Sequence, residues 1–319
     1  MGFPPSSSGS PLILHHYDFS NYSEKVRLVL GYKGFSWCSV QIPSHEPKPK
    51  YKVLTAGYRR TPALQVGSDI YCDTRLIVDV LQQLKPLPDL FPGKERATVK
   101  AHVEALIFWC EVSLMRPLAL WITGKHADSF PSGFFEDRAR LHGKPLPTLA
   151  RVKASAAKYE MQVRTQIEWL SDLVGETGKY VLGESLSLAD FSLVQAPWFY
   201  CKISPTGTEI EFPPNLRHWT ERVLAVGHGD VSEISADEAL DSAKTSQPAG
   251  VVGDCFNAPE GVRKGDRVKV TPFDDQNTPA EGTLLCADDA RISIATETSL
   301  TGLVHVHFPR IGYRLSKVR

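Results

Sequence analysis

Hydrophobic periodicity changes twice along this chain, and those changes limit what it can fold into. Residues 11–92 alternate between short apolar runs and stripes of helical spacing. Pro11-Leu12-Ile13-Leu14-His15 reads as a strand, and Val26, Leu28, Val29 and Leu30 give a helix that stops at Gly31 or Gly34. Ser39-Val40-Gln41-Ile42 reads as a second strand. Ala63-Leu64-Gln65-Val66 and Ile70-Tyr71-Cys72 flank Gly67-Ser68-Asp69, a hairpin signature. Asp73 caps a helix carrying Leu76, Ile77, Val80, Leu81 and Leu84, which Pro86 and Pro88 end.

From 93 to 243 the period becomes helical throughout. Val99, Val103, Leu106, Ile107, Cys110 and Leu114 form one stripe, which Pro117 should kink or end. Val152, Ala156, Tyr159, Val163, Ile167, Leu170 and Val174 form another, and Ser187-Leu188-Ala189-Asp190 reads as a helix-capping box. Between the stripes, 124–150 is broken by Gly and Pro. A Thr/Ser/Gln/Pro/Gly-rich linker covers 244–256, and beyond it short alternating segments predict about five strands over 257–319. The order β-α-β, hairpin, helix is that of a thioredoxin-like domain. The expected architecture is therefore multidomain, α/β plus all-α. It has a flexible tail (1–10), a thioredoxin-like domain (11–92), an all-helical domain (93–243), a linker (244–256) and a small all-β module (257–319).

The 319 residues carry 36 basic and 36 acidic side chains, so no net field draws the chain to nucleic acid or to an anionic membrane. No apolar run approaches the ~18 residues that a membrane span needs, and the first ten residues lack signal-peptide character. Cysteines stand at 38, 72, 110, 201, 255 and 286, too scattered for a CxxC site, and read as reduced thiols in a cytoplasmic protein. His305 and His307 share a strand face without a third ligand nearby, so they are expected to be solvent-facing rather than a metal site, and no metal is expected elsewhere.

Three motifs stand in order: Ser20-Asn21-Tyr22-Ser23-Glu24-Lys25-Val26-Arg27 at the first helix, Arg60-Thr61-Pro62 before the third strand, and Cys72-Asp73-Thr74 opening the next helix. With the Ser187–Asp190 box, they make residues 11–240 resemble a glutathione S-transferase of the serine type. The C-terminal end, including His305-Val306-His307-Phe308-Pro309-Arg310, resembles an extension of fungal members, several of which serve specialised-metabolite biosynthesis. The resemblance implies that glutathione is bound as co-substrate or cofactor, with a hydrophobic electrophile as second substrate, and that the chain forms a homodimer.

The chemistry fits those residue types. A free thiol titrates near pH ~8.5, so the site must stabilise anionic sulfur; a helix N-terminus does so with unpaired N–H groups and the positive end of its dipole. Ser20, where strand turns into helix, can donate its hydroxyl to sulfur, or it can serve as an N-cap and nothing more. Tyr17 is the fallback donor. The resemblance further implies that the backbone at Thr61, before a cis Pro62, pairs with the tripeptide, and that Asp73 and Thr74 hold its γ-glutamyl end. The acid-free basic stretch 47–68, with Lys48, Lys50, Lys52, Arg59 and Arg60, offers Arg60, assisted by Lys50 or Lys52, for the glycyl carboxylate. Phe108, Trp109, Met115 and Phe130, with Phe134 and Phe135, could wall an apolar pocket. Serine at position 20 cannot form a mixed disulfide, which argues against glutaredoxin-like exchange.

Three outcomes stay open: a transferase that releases the thioether adduct; an isomerase in which the thiolate adds to a conjugated olefin, the bond rotates and glutathione leaves; and a non-catalytic scaffold.

Overall fold

The structure is a computed structural model that describes residues 10–175, 179–251, 257–274 and 278–318. The first domain comprises β1 (Leu12–His16), α1 (Asn21–Tyr32), β2 (Ser36–Gln41), α2 (Pro49–Leu54), β3 (Ala63–Val66), β4 (Asp69–Cys72) and α3 (Thr74–Leu84). β1 pairs in parallel with β2 and antiparallel with β3, and β4 completes the hairpin. Every residue of β1, β3 and β4 is buried. Alternate side chains enter two different cores: Leu12, Leu14, Leu64 and Val66 face α1, α3 and the helical half, whereas Ile13, Ala63, Ile70 and Cys72 face the other way. A sheet covered on both faces explains why these strands read as continuous apolar runs rather than as alternation.

The helical part comprises α4 (Arg96–Phe108), a π-helical turn (Trp109–Leu114), α5 (Met115–Lys125), α6 (Phe134–Leu141), α7 (Leu149–Ala156), α8 (Glu160–Val174), α9 (Leu188–Leu193), α10 (Gln195–Ile203) and α11 (Pro214–Leu224). Pro117 does not end the first stripe. The π turn just before it widens the helix where Pro117 has no N–H to give, and the helix runs on. The stretch Arg96–Lys125 is long and apolar enough by length and composition to cross a membrane, contrary to the reading from sequence. Here its stripe Val103, Ile107, Cys110, Leu114, Leu118 and Trp121 is buried in the core between the domains. Asp190 organises the bundle from its interior, accepting the N–H groups of Ser187 and Val181 and the Trp219 indole.

The region read as wholly helical then returns to the sheet. β5 (Asp230–Glu233) pairs in parallel with β2, and α12 (Ala236–Thr245) lays Ala239, Leu240 and Ala243 into the second core. Gly31 permits this return, because a Cβ there would lie 2.1 Å from the Gly227 carbonyl oxygen. The extension forms β6 (Arg267–Pro272), β7 (Ala280–Ala287), β8 (Arg291–Thr298), β9 (Gly302–Pro309) and β10 (Tyr313–Lys317). It is not a separate sheet. β9 pairs in parallel with β4, giving one ten-stranded sheet in the order β10-β6-β7-β8-β9-β4-β3-β1-β2-β5.

That seam decides the fate of the two histidines. His307 is 3% exposed, stacks on Tyr71, donates its Nε2–H to Asp69 Oδ1 over 3.0 Å and meets Ser293 Oγ at Nδ1 over 2.8 Å. His305 also turns toward Asp69, at 3.8 Å. Instead of facing solvent, the pair seals the junction of β4 and β9. Ser293, His307 and Asp69 are arranged in the order of a hydrolase triad, but all three are buried, so no substrate reaches the hydroxyl. Cys286 is disulfide-bonded, unlike the reduced thiols expected; Cys38, Cys72, Cys110 and Cys201 are free, and Cys255 lies outside the described residues.

His15 and His16, at the end of β1, are buried and lowered to about 4 and about 3, mainly by burial. Folded imidazoles therefore stay neutral while unfolded ones protonate near pH 6.5, so their contribution is intact above pH ~6.5 and is lost as pH falls toward the folded values. Urea unfolding should show stability falling by roughly 4 kcal/mol between pH 7 and pH 5 from these two groups. A flat profile over that interval would refute their neutral burial.

Candidate active site at the edge of the sheet

Strand register gathers the site. Ala63 pairs with His15 on one side and with Cys72 on the other. The residues just outside the sheet, Tyr17, Thr61-Pro62 and Asp73, therefore leave it side by side along one edge, one strand spacing (~4.8 Å) apart. The Thr61–Pro62 peptide is cis.

At the centre of that edge, Ser20 caps α1, its Oγ accepting the Ser23 N–H at 3.2 Å, and the residue is 2% exposed. Its own proton is left to donate. Tyr17, three residues earlier, accepts a long hydrogen bond from Arg138 at 3.5 Å. Lys48 lies 5.7 Å from the Tyr17 ring and donates to Thr61 Oγ1 (3.2 Å) and to the Arg59 carbonyl (3.3 Å). It is 3% exposed, and burial, reinforced by Arg138 and Arg59, lowers its ammonium to about 7.

At the other end, Asp73 caps α3 with Oδ1 on the Arg75 N–H at 2.9 Å. Lys25, in the first turn of α1, reaches Thr74 Oγ1 at 3.5 Å and forms an ion pair with Glu111 of the π turn at 2.9 Å. Burial and the nearby Glu111 raise the Asp73 carboxyl, against hydrogen bonds from the Arg75 N–H and the Tyr313 hydroxyl. The edge thus carries a buried cation at one end, a helix N-terminus with a hydroxyl in the middle, and a carboxylate beside a second helix N-terminus at the other end.

Comparison with known proteins gives this edge a lineage. The model of the glutathione S-transferase N-terminal domain matches residues 14–89. The crystal structure of a GST-like protein from Pseudomonas syringae is 32% identical, covers 97% of this chain and 100% of its own, and has a TM-score of 0.74. The chain belongs to the glutathione S-transferase-like family. Glutathione S-transferase structures from Rhodospirillum rubrum F11 and Sinorhizobium meliloti 1021 share the fold at 18% and 19% identity, each with a TM-score of 0.50. They cover 67% and 68% of this chain, and 88% and 89% of their own. No curated protein matches the chain. Because the Pseudomonas match spans nearly the whole chain, it takes in the β extension, which therefore does not by itself mark a fungal member.

Within this family frame, the expected residues fall into two groups. Tyr17, Ser20, Thr61, Pro62, Asp73 and Thr74 stand along one edge. Lys50 does not join them: it is half exposed and pairs with Asp237 of α12 at 2.6 Å. Arg60 turns to the Asp73 end, bound to Asp274 of the extension at 2.8 Å. Lys48, two positions from Lys50 in the same basic stretch, is buried at the edge, and burial rather than charge separates the two lysines.

The apolar wall is also redrawn. Met115 is 3% exposed and belongs to the core. Trp109 packs against that core, and Phe108 is 63% exposed on the helix stripe shared with Glu104 and Glu111. Phe130 and Phe134 each lie 6.0 Å from Phe19, next to Ser20, and Phe135 joins them at 5.5 Å from Phe130. The 124–150 segment is held there by Asp137 and Arg138. Asp137 pairs with Arg59 and accepts the Glu46 N–H, and Arg138 donates to the Ser44 carbonyl at 2.9 Å. Burial would raise the Asp137 carboxyl, but Arg59 and Arg138 together hold it below its ordinary value.

Asp137→Ala leaves the buried Arg59 without its partner and unties the phenylalanines from the edge. Denaturant titration should show a loss of about 3 kcal/mol, far more than an exposed pair contributes; a loss under about 0.5 kcal/mol would mean that the segment is held by something else.

Proposed function

We propose that the chain is a glutathione-dependent enzyme that presents the glutathione thiolate to a hydrophobic electrophile. The observation that carries this reading is the charge order along the sheet edge. It runs from the Lys48 ammonium through the α1 N-terminus with Ser20 to the Asp73 carboxylate and the α3 N-terminus. Glutathione offers the complementary order: a glycyl carboxylate, a central thiol, and a γ-glutamyl end bearing an ammonium and a carboxylate. Lys48 takes the glycyl carboxylate, in place of Arg60 and Lys50. The Thr61 backbone pairs with the cysteinyl residue like an added strand. Asp73 meets the ammonium, and the N–H and hydroxyl of Thr74 meet the α-carboxylate.

The thiol loses its proton to solvent. The α1 dipole and the Ser20 O–H then stabilise the sulfur anion. Phe19, Phe130, Phe134 and Phe135 provide the apolar surface on which an electrophilic carbon is held near sulfur. Attack on a conjugated olefin forms a C–S bond as the π pair of the C=C bond moves onto the conjugated acceptor group. Protonation of that anion from solvent and release of the thioether is transfer; rotation about the former double bond, followed by return of the electron pair and C–S cleavage, is isomerisation and returns the thiolate. Both use the same residues, and the fate of glutathione under turnover tells them apart.

A binding protein without turnover is the second reading. It draws on the 2% exposure of Ser20 and the engagement of its Oγ as a helix cap. Ser20→Ala separates the two. In the enzyme it lowers kcat/KM by roughly 10²–10³ and raises the pKa of bound glutathione, read from thiolate absorbance, with little change in glutathione affinity. If Tyr17→Phe has that effect and Ser20→Ala does not, the donor is Tyr17.

Lys48 supplies a second test. Its ammonium, lowered to about 7, is mostly deprotonated at pH 8 in the free protein, and a bound carboxylate favours the charged form. Binding of S-methylglutathione, which has no thiol to ionise, should therefore take up close to one proton at pH 8. Its affinity should weaken by up to about tenfold per pH unit above pH ~7. Calorimetry in buffers of different ionisation enthalpy measures the uptake. Uptake that persists in Lys48→Met would remove Lys48 from the glycyl end.

A further inference from the structure

The extension curls back on the edge where Asp73 stands. Its strands β6 and β10 lie at the far end of the sheet order from β4, yet the loops at their ends touch the residues before and after the β3–β4 hairpin. The Glu281 N–H donates to the Ala56 carbonyl at 2.9 Å. Asp274 holds the Arg60 guanidinium at 2.8 Å. Tyr313, the first residue of β10, donates its hydroxyl to Asp73 Oδ2 at 3.0 Å.

Tyr313 is 2% exposed, its ring set against Phe308 (centroids 5.4 Å apart) and Tyr58 (6.2 Å). The Tyr58 and Tyr313 hydroxyls are 2.7 Å apart. Since the Tyr313 proton goes to the carboxylate, the Tyr58 hydroxyl is the donor of that pair. A directed chain, Tyr58 to Tyr313 to Asp73, therefore ends on the carboxylate, whose other oxygen is taken by the Arg75 N–H. Asp73 needs such a hold. It sits at φ +77, ψ 136, a backbone region that residues other than glycine rarely occupy.

We propose that Tyr313 of the C-terminal extension is a positioning residue of the glutathione site, aiming the Asp73 carboxylate at the α-ammonium of the γ-glutamyl group, so that the docked extension completes the site. This rests on the glutathione reading above. The groups facing Asp73 are Tyr22 and Lys25 from α1, Glu111 from the π turn, Tyr58 and Arg60 from the loop before β3, Cys72 of β4 and Tyr313 of β10. Glu111 disfavours the anion, whereas Lys25 and the Tyr313 hydroxyl favour it. Removing the hydroxyl therefore protonates Asp73 at higher pH, and the acid limb of ligand binding moves upward.

The test is calorimetry on the full chain with two ligands: S-methylglutathione and its analogue in which hydrogen replaces the γ-glutamyl α-amino group. Tyr313→Phe keeps the ring packing and removes only the hydroxyl. It should weaken S-methylglutathione about 5- to 20-fold at pH 6.5, with a larger loss at lower pH, while the desamino analogue changes less than about twofold. Equal losses for both ligands, or no loss, would overturn the proposal and leave Tyr313 a packing residue. A wild-type chain that binds neither ligand would sink the glutathione reading and this inference with it. Should Tyr313→Phe fold poorly, Tyr58→Phe removes the donor behind Tyr313 without touching Asp73. It should give the same ligand-selective loss at about two- to threefold, and its absence there counts equally against the proposal.

Discussion

The pairing of β9 along β4 is the constraint from which the rest of the structure follows. Without it, β4 would be an open edge of the first sheet and β9 an open edge of the extension, each with a row of unpaired N–H and C=O groups. Joined, they make one sheet whose second face is closed by α2, α12 and the extension. The seam buries His307, Asp69 and Ser293 in a hydrogen-bonded line, so these three side chains are matched to one another. The same pairing fixes where the extension goes next, and that brings β10 and the β6–β7 loop back over the sheet edge that carries Asp73 and Arg60.

Charge at that edge is arranged by burial as much as by residue type. At the Lys48 end of the edge, Lys48, Arg59 and Arg138 stand beside the acids Asp137 and Glu46. Arg59 and Arg138 both pair with Asp137, whereas Lys48, which has only neutral acceptors among its hydrogen bonds, is driven toward neutrality by burial and by those two neighbouring cations. At the Asp73 end, the pair Lys25–Glu111 ties α1 to the π turn beside Thr74 and crowds a second carboxylate against Asp73.

The segment 124–150 shows how the edge recruits its apolar wall. Its sequence, broken by Gly and Pro, specifies no rigid path, but Asp137 and Arg138 pin α6 to the 44–61 loops and carry Phe130 and Phe134 to Phe19. Arg138 also lies 3.9 Å over the Phe134 ring, so the element that holds the loop also packs its aromatic face.

What the sequence determined by itself was local. The apolar runs of β1, β3 and β4, the caps Ser20 and Asp73, and the capping box at Ser187–Asp190 are written in spacing and in side chains that bond their own backbone within four residues. Those signals placed Ser20, Thr61-Pro62 and Asp73-Thr74 at the ends of elements, where the structure has them. Tertiary structure alone decided which basic side chain is buried, since Lys48 and Lys50 differ by two positions and by nothing in composition. It alone moved Met115 into the core, turned His305 and His307 inward against β4, and brought Tyr313 to Asp73 across 240 residues of chain. Periodicity reports which face of an element is apolar; it carries no information about which other element that face will meet.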